Sequence, residues 1–262
     1  MAPGGSAEEQ DLLAVLRLIA ERAGKIVLRH YVEQETAVRR KEDASPVTDA
    51  DEESEAFLLQ ALAALAPETP AISEEASAKA GLPQGKAPTR FWLVDPLDGT
   101  KEFLSRNGEF TVNIALIEEG RPVAGVVHAP ALAMTWAGAG PGSATLSETD
   151  QPPMAIATRA MPPGGATVLA SRRHGDSAEL DRFLVAYKVA ELKNAGSSLK
   201  FCLVANGKAD LYPRFGRTME WDTAAGHAVL LAAGGRVETL DGQPLGYGKP
   251  GFENPAFIAY GR

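Results

Sequence analysis

The residues with the most chemical potential in this chain stand together in Asp95-Pro96-Leu97-Asp98-Gly99-Thr100, directly after the apolar run Trp92-Leu93-Val94. The run reads as a buried strand that delivers two carboxylates and a hydroxyl onto one tight turn. Pro96 fixes its own backbone and pushes Asp95 toward an extended conformation, while Gly99 lets the chain reverse. Two aspartates held that close repel each other unless something cationic lies between them, and oxygen-only ligands suit magnesium. An ordinary Asp-Gly turn at a strand end uses the same residue types. Taken alone, the segment leaves both readings open.

Three further segments accompany it: Pro46-Val47-Thr48-Asp49-Ala50-Asp51, Ser73-Glu74-Glu75 and Trp221-Asp222-Thr223-Ala224-Ala225. Each has a structural competitor. Asp49 or Asp51 could cap a helix, and Asp222 could cap the apolar helix that follows it. Glu74 and Glu75 on a loop would be solvated charges. In order and spacing, however, the four segments resemble the signature of the lithium-sensitive, magnesium-dependent phosphatase superfamily that includes inositol monophosphatase. The resemblance runs from the first helix to the last strand.

That resemblance implies a set of roles. Asp95 would bridge two magnesium ions, Asp98 and Asp222 would hold one of them, and Glu74, as the first Glu of its pair, would hold the other. The Leu97 carbonyl matches a further ligand, for two or three ions in all. Asp51 and Thr100 resemble the pair that orients and activates the attacking water, with Asp51 favoured over Asp49 by counting from Val47-Thr48.

Softer residues bear on the substrate. Inositol-type members carry Thr-Asn-Phe after the Asp-Gly-Thr, whereas this chain has Lys101-Glu102-Phe103. That tripeptide, the segment Asn107 to Leu116, the segment Gly196-Ser197-Ser198-Leu199-Lys200 through Val204 and the segment Ala209-Asp210-Leu211-Tyr212-Pro213-Arg214-Phe215 resemble bacterial 3'(2'),5'-bisphosphate nucleotidases. Ser197, Ser198 and Lys200 at a helix start offer hydroxyls, backbone N–H groups and a cation for a second phosphate, and Arg214 adds a planar fork. A capped surface helix with a solvated lysine is the competing reading. Gly99, Thr100 and His174 complete the expected substrate contacts. The activity implied is removal of the 3'-phosphate of adenosine 3',5'-bisphosphate, which would clear a by-product of sulfate assimilation. The alternatives are the same chemistry on inositol or sugar phosphates, or a regulator that binds phosphorylated ligands without turnover.

Composition sets the frame. The 262 residues are 45% apolar and 23% charged, which fits a globular protein able to bury a large core. No apolar run approaches membrane-spanning length, and residues 1–10 lack the basic start and apolar stretch of a secretory signal. A single cysteine, Cys202, excludes a disulfide framework and reads as a buried thiol. Cytoplasmic residence is the expectation, with peripheral association at the inner face of the membrane left open, as is the choice between monomer and homodimer. The net charge of −8 disfavours a nucleic-acid polymer as partner. It leaves a small anionic substrate open, since bound divalent ions invert the local field.

The elements that must position these groups follow from periodicity. Apolar residues Leu12, Val15, Leu16, Ile19, Ala23, Ile26 and Val27 predict a helix over 11–31. A charged hairpin or loop is expected at 32–46, a helix over 51–65 with Leu58, Leu62 and Leu65 inward, and a loop at 76–90. Alternation from Phe110 to Leu116 and the turn at Glu119-Gly120-Arg121-Pro122 predict an antiparallel hairpin with Val123 to His128. A strand at 132–137 ends in a glycine-rich stretch that reads as a boundary. Residues 1–142 would form an α+β half carrying most metal ligands, and 143–262 an α/β half carrying Asp222 and the substrate contacts. In the second half, strands are expected at 167–170, 189–192, 209–212, 236–239 and 256–259, and helices near 176–187, 198–206 and 222–233. The fold class is α+β, with the layered α/β/α/β/α sandwich of the sugar-phosphatase type that the resemblance implies.

Overall fold

The computed structural model describes residues 4–33, 38–40, 46–83, 85–148, 151–171 and 177–262. The chain opens with α1 (Ala7–Glu33), the short strands β1 (Val38–Arg40) and β2 (Pro46–Thr48), and α2 (Asp49–Leu65). Next come β3 (Ala71–Ser73), α3 (Glu74–Ala80), β4 (Arg90–Asp98) and α4 (Thr100–Leu104). A meander follows: β5 (Thr111–Glu118), β6 (Arg121–Ala129), β7 (Met134–Ala139), β8 (Thr145–Glu148) and β9 (Met154–Ala155). The remainder is β10 (Ala166–Ala170), α5 (Ser177–Leu184), β11 (Val189–Asn194), α6 (Leu199–Ala205), β12 (Leu211–Arg214), β13 (Thr218–Met219), α7 (Ala224–Ala232), β14 (Arg236–Thr239), β15 (Glu253–Asn254) and β16 (Phe257–Tyr260).

Strands β3 to β9 form a seven-stranded sheet in chain order, and β11-β10-β12-β16-β14 form a five-stranded sheet. The large sheet is buried on both faces, and its strands alternate accordingly. On one face Trp92, Val94, Val112, Ile114, Leu116 and Val126 pack with α1 and α2. On the other, Phe91, Leu93, Ala115, Ile117 and Val127 pack with residues of α6, α7 and the smaller sheet. Phe183, Leu184 and Tyr187, in and just after α5, cover the outer side of that second sheet. The layers thus run α/β/α/β/α, in agreement with the sequence-based expectation.

Helix α7 lies so close to the large sheet that a β-carbon on Gly125 of β6 would stand 2.6 Å from the Ala225 carbonyl oxygen. Glycine is required there by close backbone approach. The contact brings the N-terminal end of α7, and with it Asp222, onto the sheet that carries Asp95 and Asp98.

Several expectations need correction. The turn expected at Asp95–Thr100 is a continuation of β4 to Asp98. Residues 76–80, expected as loop, are helical in α3. Residues 130–132 form a 3-10 turn, and β7 starts only at Met134; β12 begins at Leu211 rather than at 209. Val15 is exposed, because the buried stripe of α1 runs through Leu13, Leu16, Ile19, Ala20, Ala23 and Val27. Leu65, at the last position of α2, is exposed too. The expected hairpin at 32–46 is described only through β1 and β2, which pair antiparallel with Val38 opposite Thr48; residues 34–37 and 41–45 lie outside the described residues. The large sheet does not end at the glycine-rich stretch: β8 and β9 add to it beyond Gly142. Among the described residues no helix is long and apolar enough to cross a membrane.

Two buried histidines make the fold acid-sensitive. His128 of β6 has Nδ1 2.9 Å from Thr135 Oγ1, and burial lowers its pKa to about 4; burial lowers that of His227 in α7 to about 3. Both folded values lie below the unfolded one, so the unfolded chain binds more protons as pH falls. The stability they contribute is complete above about pH 6.5 and is lost as pH falls toward the folded values. Since a tenfold change in proton affinity is worth about 1.4 kcal/mol, His128 contributes roughly 3 kcal/mol to this slope. Denaturant midpoints measured from pH 7 to pH 4 should fall steeply, and His128→Gln should flatten that slope; equal slopes for both proteins would show that His128 does not carry it.

Candidate active site

The site is built on a defect in β4. Asp95 pairs with Asn113 and Asp98 with Thr111, so β4 places an extra residue against β5. A bulge of this kind re-aims side chains, and Pro96, which has no N–H to give the ladder, is suited to it. The Leu97 N–H donates to Asp95 Oδ1 at 3.1 Å, and Ser54 Oγ of α2 donates to the Pro96 carbonyl at 3.2 Å. Gly99 then takes φ of 89° as the residue before α4, which places Thr100 at the first turn of that helix.

Carboxylate oxygens of Glu74, Asp95 and Asp222 come within 4.8 Å of one another. The segments that carry them are held from behind. Glu55 of α2 accepts the N–H groups of Glu75 and Ala76, both at 3.0 Å, and so caps the N-terminus of α3. Glu74 joins the cluster, whereas Glu75 is buried beside it and is absent from the set. Asp222 Oδ2 accepts from the Met219 N–H at 2.8 Å. Asp98 lines the same cavity, with its Oδ2 turned to the Ser198 N–H at 2.7 Å and the Ser198 hydroxyl at 2.9 Å.

The electrostatics are those of a crowded acidic site. Burial, then the Asp98 and Glu74 charges, push the Asp222 carboxyl well above the usual carboxylate range. Burial also raises Asp98, against the Lys200 cation and the Ser198 donors, which favour its charged form. Buried carboxylates this close remain ionised together only when a cation shares them. Hard oxygen donors from three separate chain segments, with the Leu97 carbonyl nearby, make a set that could hold a divalent metal.

Asp51 unites the two roles that competed for it. Its Oδ2 accepts the Thr48 N–H at 2.7 Å and the Thr48 hydroxyl at 2.6 Å, which completes a cap at the start of α2. Its Oδ1 faces Thr100 Oγ1 at 3.4 Å; the same hydroxyl lies 3.4 Å from the Leu97 carbonyl. One carboxylate thereby anchors a helix and backs a hydroxyl at the cavity wall.

The cavity, about 320 Å³, is lined by the acidic cluster together with Gly99, Thr100, Ser197, Lys200 and Arg214. Lys200 is buried and donates to the carbonyls of Ser197 at 2.7 Å and Ala195 at 3.2 Å; burial lowers its pKa to about 8. It is therefore no solvated surface lysine. Arg214 donates to Ser171 Oγ at 2.6 Å and to the Arg217 carbonyl at 3.1 Å, and its buried Nε has no partner among the described residues. Ser197 Oγ is likewise buried and without a partner among them. Ser198 is not part of the lining and turns instead to Asp98. His174 lies outside the described residues. Tyr212, Phe201, Ser171 and Arg217 also line the cavity and were not singled out from the sequence. Tyr212 had a signal, because it sits two residues from Arg214 on one strand and so shares its face.

A bulged strand that gathers carboxylates from distant segments, backed by an Asp–Thr pair, sits here in a five-layer fold. This chain belongs to the inositol monophosphatase family, whose model matches residues 8–258. It is 46% identical over 241 residues to the 3'(2'),5'-bisphosphate nucleotidase CysQ of Salmonella typhimurium, a match covering 91% of this chain and 95% of the relative. The Escherichia coli protein of the same name is 45% identical over the same share of each chain. Among solved structures, CysQ from Bacteroides thetaiotaomicron superposes with a TM-score of 0.80 at 33% identity, covering 96% of this chain and 97% of that one. The suhB protein from Bartonella henselae superposes at 0.77 with 26% identity, covering 96% and 94%.

The crowding predicts a stability cost in the metal-free protein. The folded pKa of Asp222 lies above its unfolded value, so at neutral pH its charge opposes folding. In EDTA, Asp222→Asn should raise Tm by roughly 2–4 °C for each kcal/mol of repulsion relieved, while abolishing turnover when divalent ions are returned. A lower Tm for the variant in EDTA would show that the hydrogen bond from the Met219 N–H outweighs the repulsion at Asp222.

Proposed function

We propose that this chain is a magnesium-dependent 3'(2'),5'-bisphosphate nucleotidase that converts adenosine 3',5'-bisphosphate to AMP and phosphate. The observation that carries this reading is a single cavity whose wall joins the acidic cluster to Arg214 and Ser197, groups suited to a second phosphate. The identity to nucleotidases over nine-tenths of the chain supports the same substrate class. Glu74, Asp95, Asp98, Asp222 and the Leu97 carbonyl would hold two or three magnesium ions. When bound, these supply the positive charge that the phosphate oxygens and the leaving oxygen require.

The chain's own groups then handle the proton and the orientation. Asp51 Oδ2 is already occupied by the Thr48 donors, so Oδ1, which faces Thr100, is the oxygen that serves as base. Thr100 Oγ1 donates to that oxygen and keeps its lone pairs for a proton from the attacking water. As the water oxygen bonds to phosphorus, the bond from phosphorus to the ribose 3'-oxygen breaks. The water proton passes to Thr100 Oγ1 while the Thr100 proton moves to Asp51 Oδ1, and the leaving oxygen takes a proton from solvent. Arg214 Nε and Ser197 Oγ would bind the 5'-phosphate, with the remaining proton of Lys200 beside them, so that binding energy from this remote group aids turnover. Gly99 lets the backbone approach the reacting phosphate. Residues 1–142 supply every reacting group except Asp222, and 143–262 supply the groups for the second phosphate.

A substrate panel scored by kcat/KM tests the assignment. Adenosine 3',5'-bisphosphate should far exceed 3'-AMP and inositol 1-phosphate. Arg214→Ala should penalise the bisphosphate alone, by about 1.5–3 kcal/mol for a lost charged hydrogen bond. A wild-type preference for inositol 1-phosphate would overturn the substrate while leaving the metal chemistry intact. Equal losses on bisphosphate and 3'-AMP would make Arg214 structural.

Ion dependence gives an independent check. EDTA should abolish turnover and magnesium should restore it. Calcium should substitute poorly, because octahedral geometry with retained water is needed, and lithium should inhibit. Full activity in excess chelator would remove the metal from the mechanism.

A further inference from the structure

The sequence places Ser198 among substrate contacts, yet its hydrogen bonds point elsewhere. Its backbone N–H reaches Asp98 Oδ2 at 2.7 Å, and its hydroxyl lies 2.9 Å from the same oxygen and 2.8 Å from the Asp222 carbonyl. Asn113, opposite Asp95 on β5, donates to Ser198 Oγ at 2.8 Å and reaches Asp98 Oδ2 at 3.4 Å. Both residues are almost wholly enclosed, at 1% exposure each. A hydroxyl has one proton and two lone pairs. Because Asn113 fills one lone pair, the Ser198 proton is directed to Asp98 Oδ2 or to the Asp222 carbonyl. Ionised Asp98 is the stronger acceptor.

The turn that presents Ser198 is itself clamped. Ser197 adopts φ of +43°, a left-handed conformation that a side chain makes costly. The Lys200 ammonium binds the carbonyls of Ala195 and Ser197, and Glu109 accepts the Gly196 N–H at 2.7 Å. The turn therefore holds the Ser198 N–H and hydroxyl on one carboxylate oxygen. Asp98 Oδ2 is thereby committed, and Oδ1 is the oxygen left for a cation.

We infer that Ser198, locked by Asn113, is a positioning residue that orients Asp98 and ties it to the Asp222 segment, thereby setting the affinity of the acidic cluster for its divalent cation. The inference rests on the reading of Asp98 as a metal ligand. Partners standing behind a metal ligand are worth roughly 10- to 100-fold in metal affinity. Ser198→Ala keeps the backbone N–H, so the lower end of that range applies.

The test is direct Mn2+ binding, followed by electron paramagnetic resonance on metal-free protein, together with Tm in EDTA and the Mg2+ dependence of turnover. Ser198→Ala and Asn113→Ala should each weaken Mn2+ binding about tenfold and shift the Mg2+ requirement upward by the same factor. At saturating Mg2+, kcat should return to near the wild-type value, and Ser198→Thr, which restores the hydroxyl, should recover Mn2+ affinity. A merely structural strap would lower Tm without that split. Wild-type Mn2+ affinity in both alanine variants, or kcat reduced at every Mg2+ concentration with unchanged affinity, overturns the inference. Asp98→Asn identifies a different failure: wild-type Mn2+ affinity in that variant removes Asp98 from the ligand set, and the inference falls with it.

Discussion

Mutual repulsion among buried and half-buried carboxylates is the constraint to which the rest of this structure answers. Glu74, Asp95 and Asp222 meet within a few ångströms, and Asp98 shares their cavity. Left to themselves, such groups would swing apart or take up protons. Three are kept from swinging by donors aimed from behind, the Leu97 N–H for Asp95, the Met219 N–H for Asp222 and Ser198 for Asp98, while Glu55 accepts the Glu75 and Ala76 N–H groups and so fixes the turn that carries Glu74. The fold commits hydrogen bonds to keeping these carboxylates together.

This explains why layers of opposite character meet at the site. The bulge in β4 turns two aspartates out of a sheet whose two faces are packed largely with apolar side chains. Close packing of α7 on that sheet at Gly125 brings the Asp222 segment within reach. A part-buried ion pair, Glu220 with Lys249 at 2.6 Å, and Asn254, which donates to the Met219 carbonyl at 2.8 Å, fix the loop around Asp222. Packing and electrostatics are here one problem, since the charges tolerate each other only if the scaffold does not relax.

Much of this was legible in the chain. Helical spacing located α1 and α2, alternation located β5, the turn at 119–122 located β6, and the acidic residues of four separate segments pointed to a divalent-ion site. What escaped was set by tertiary context. Helix α3 has no apolar period to announce it, and its first turn depends on a carboxylate from α2. Strands β8 and β9 are short and follow a glycine-rich stretch that looks like a boundary. Ser198 reads as one of a pair of phosphate-binding serines, and only the fold reveals that Ser197 lines the cavity while its neighbour turns to Asp98. The Asp51 question could not be settled from spacing, because the residue both caps α2 and faces Thr100.

The spread of the acidic residues along the chain also bears on how the molecule reaches this state. Asp51, Glu74, Asp98 and Asp222 come from segments far apart in the sequence, so the site closes only after long loops have been ordered. Partly assembled chains hold the carboxylates without the cluster and have little to offer a divalent ion. An ion that binds the native state alone shifts the folding equilibrium by mass action. A divalent ion therefore meets a complete acidic cluster only where α7 has docked on the large sheet.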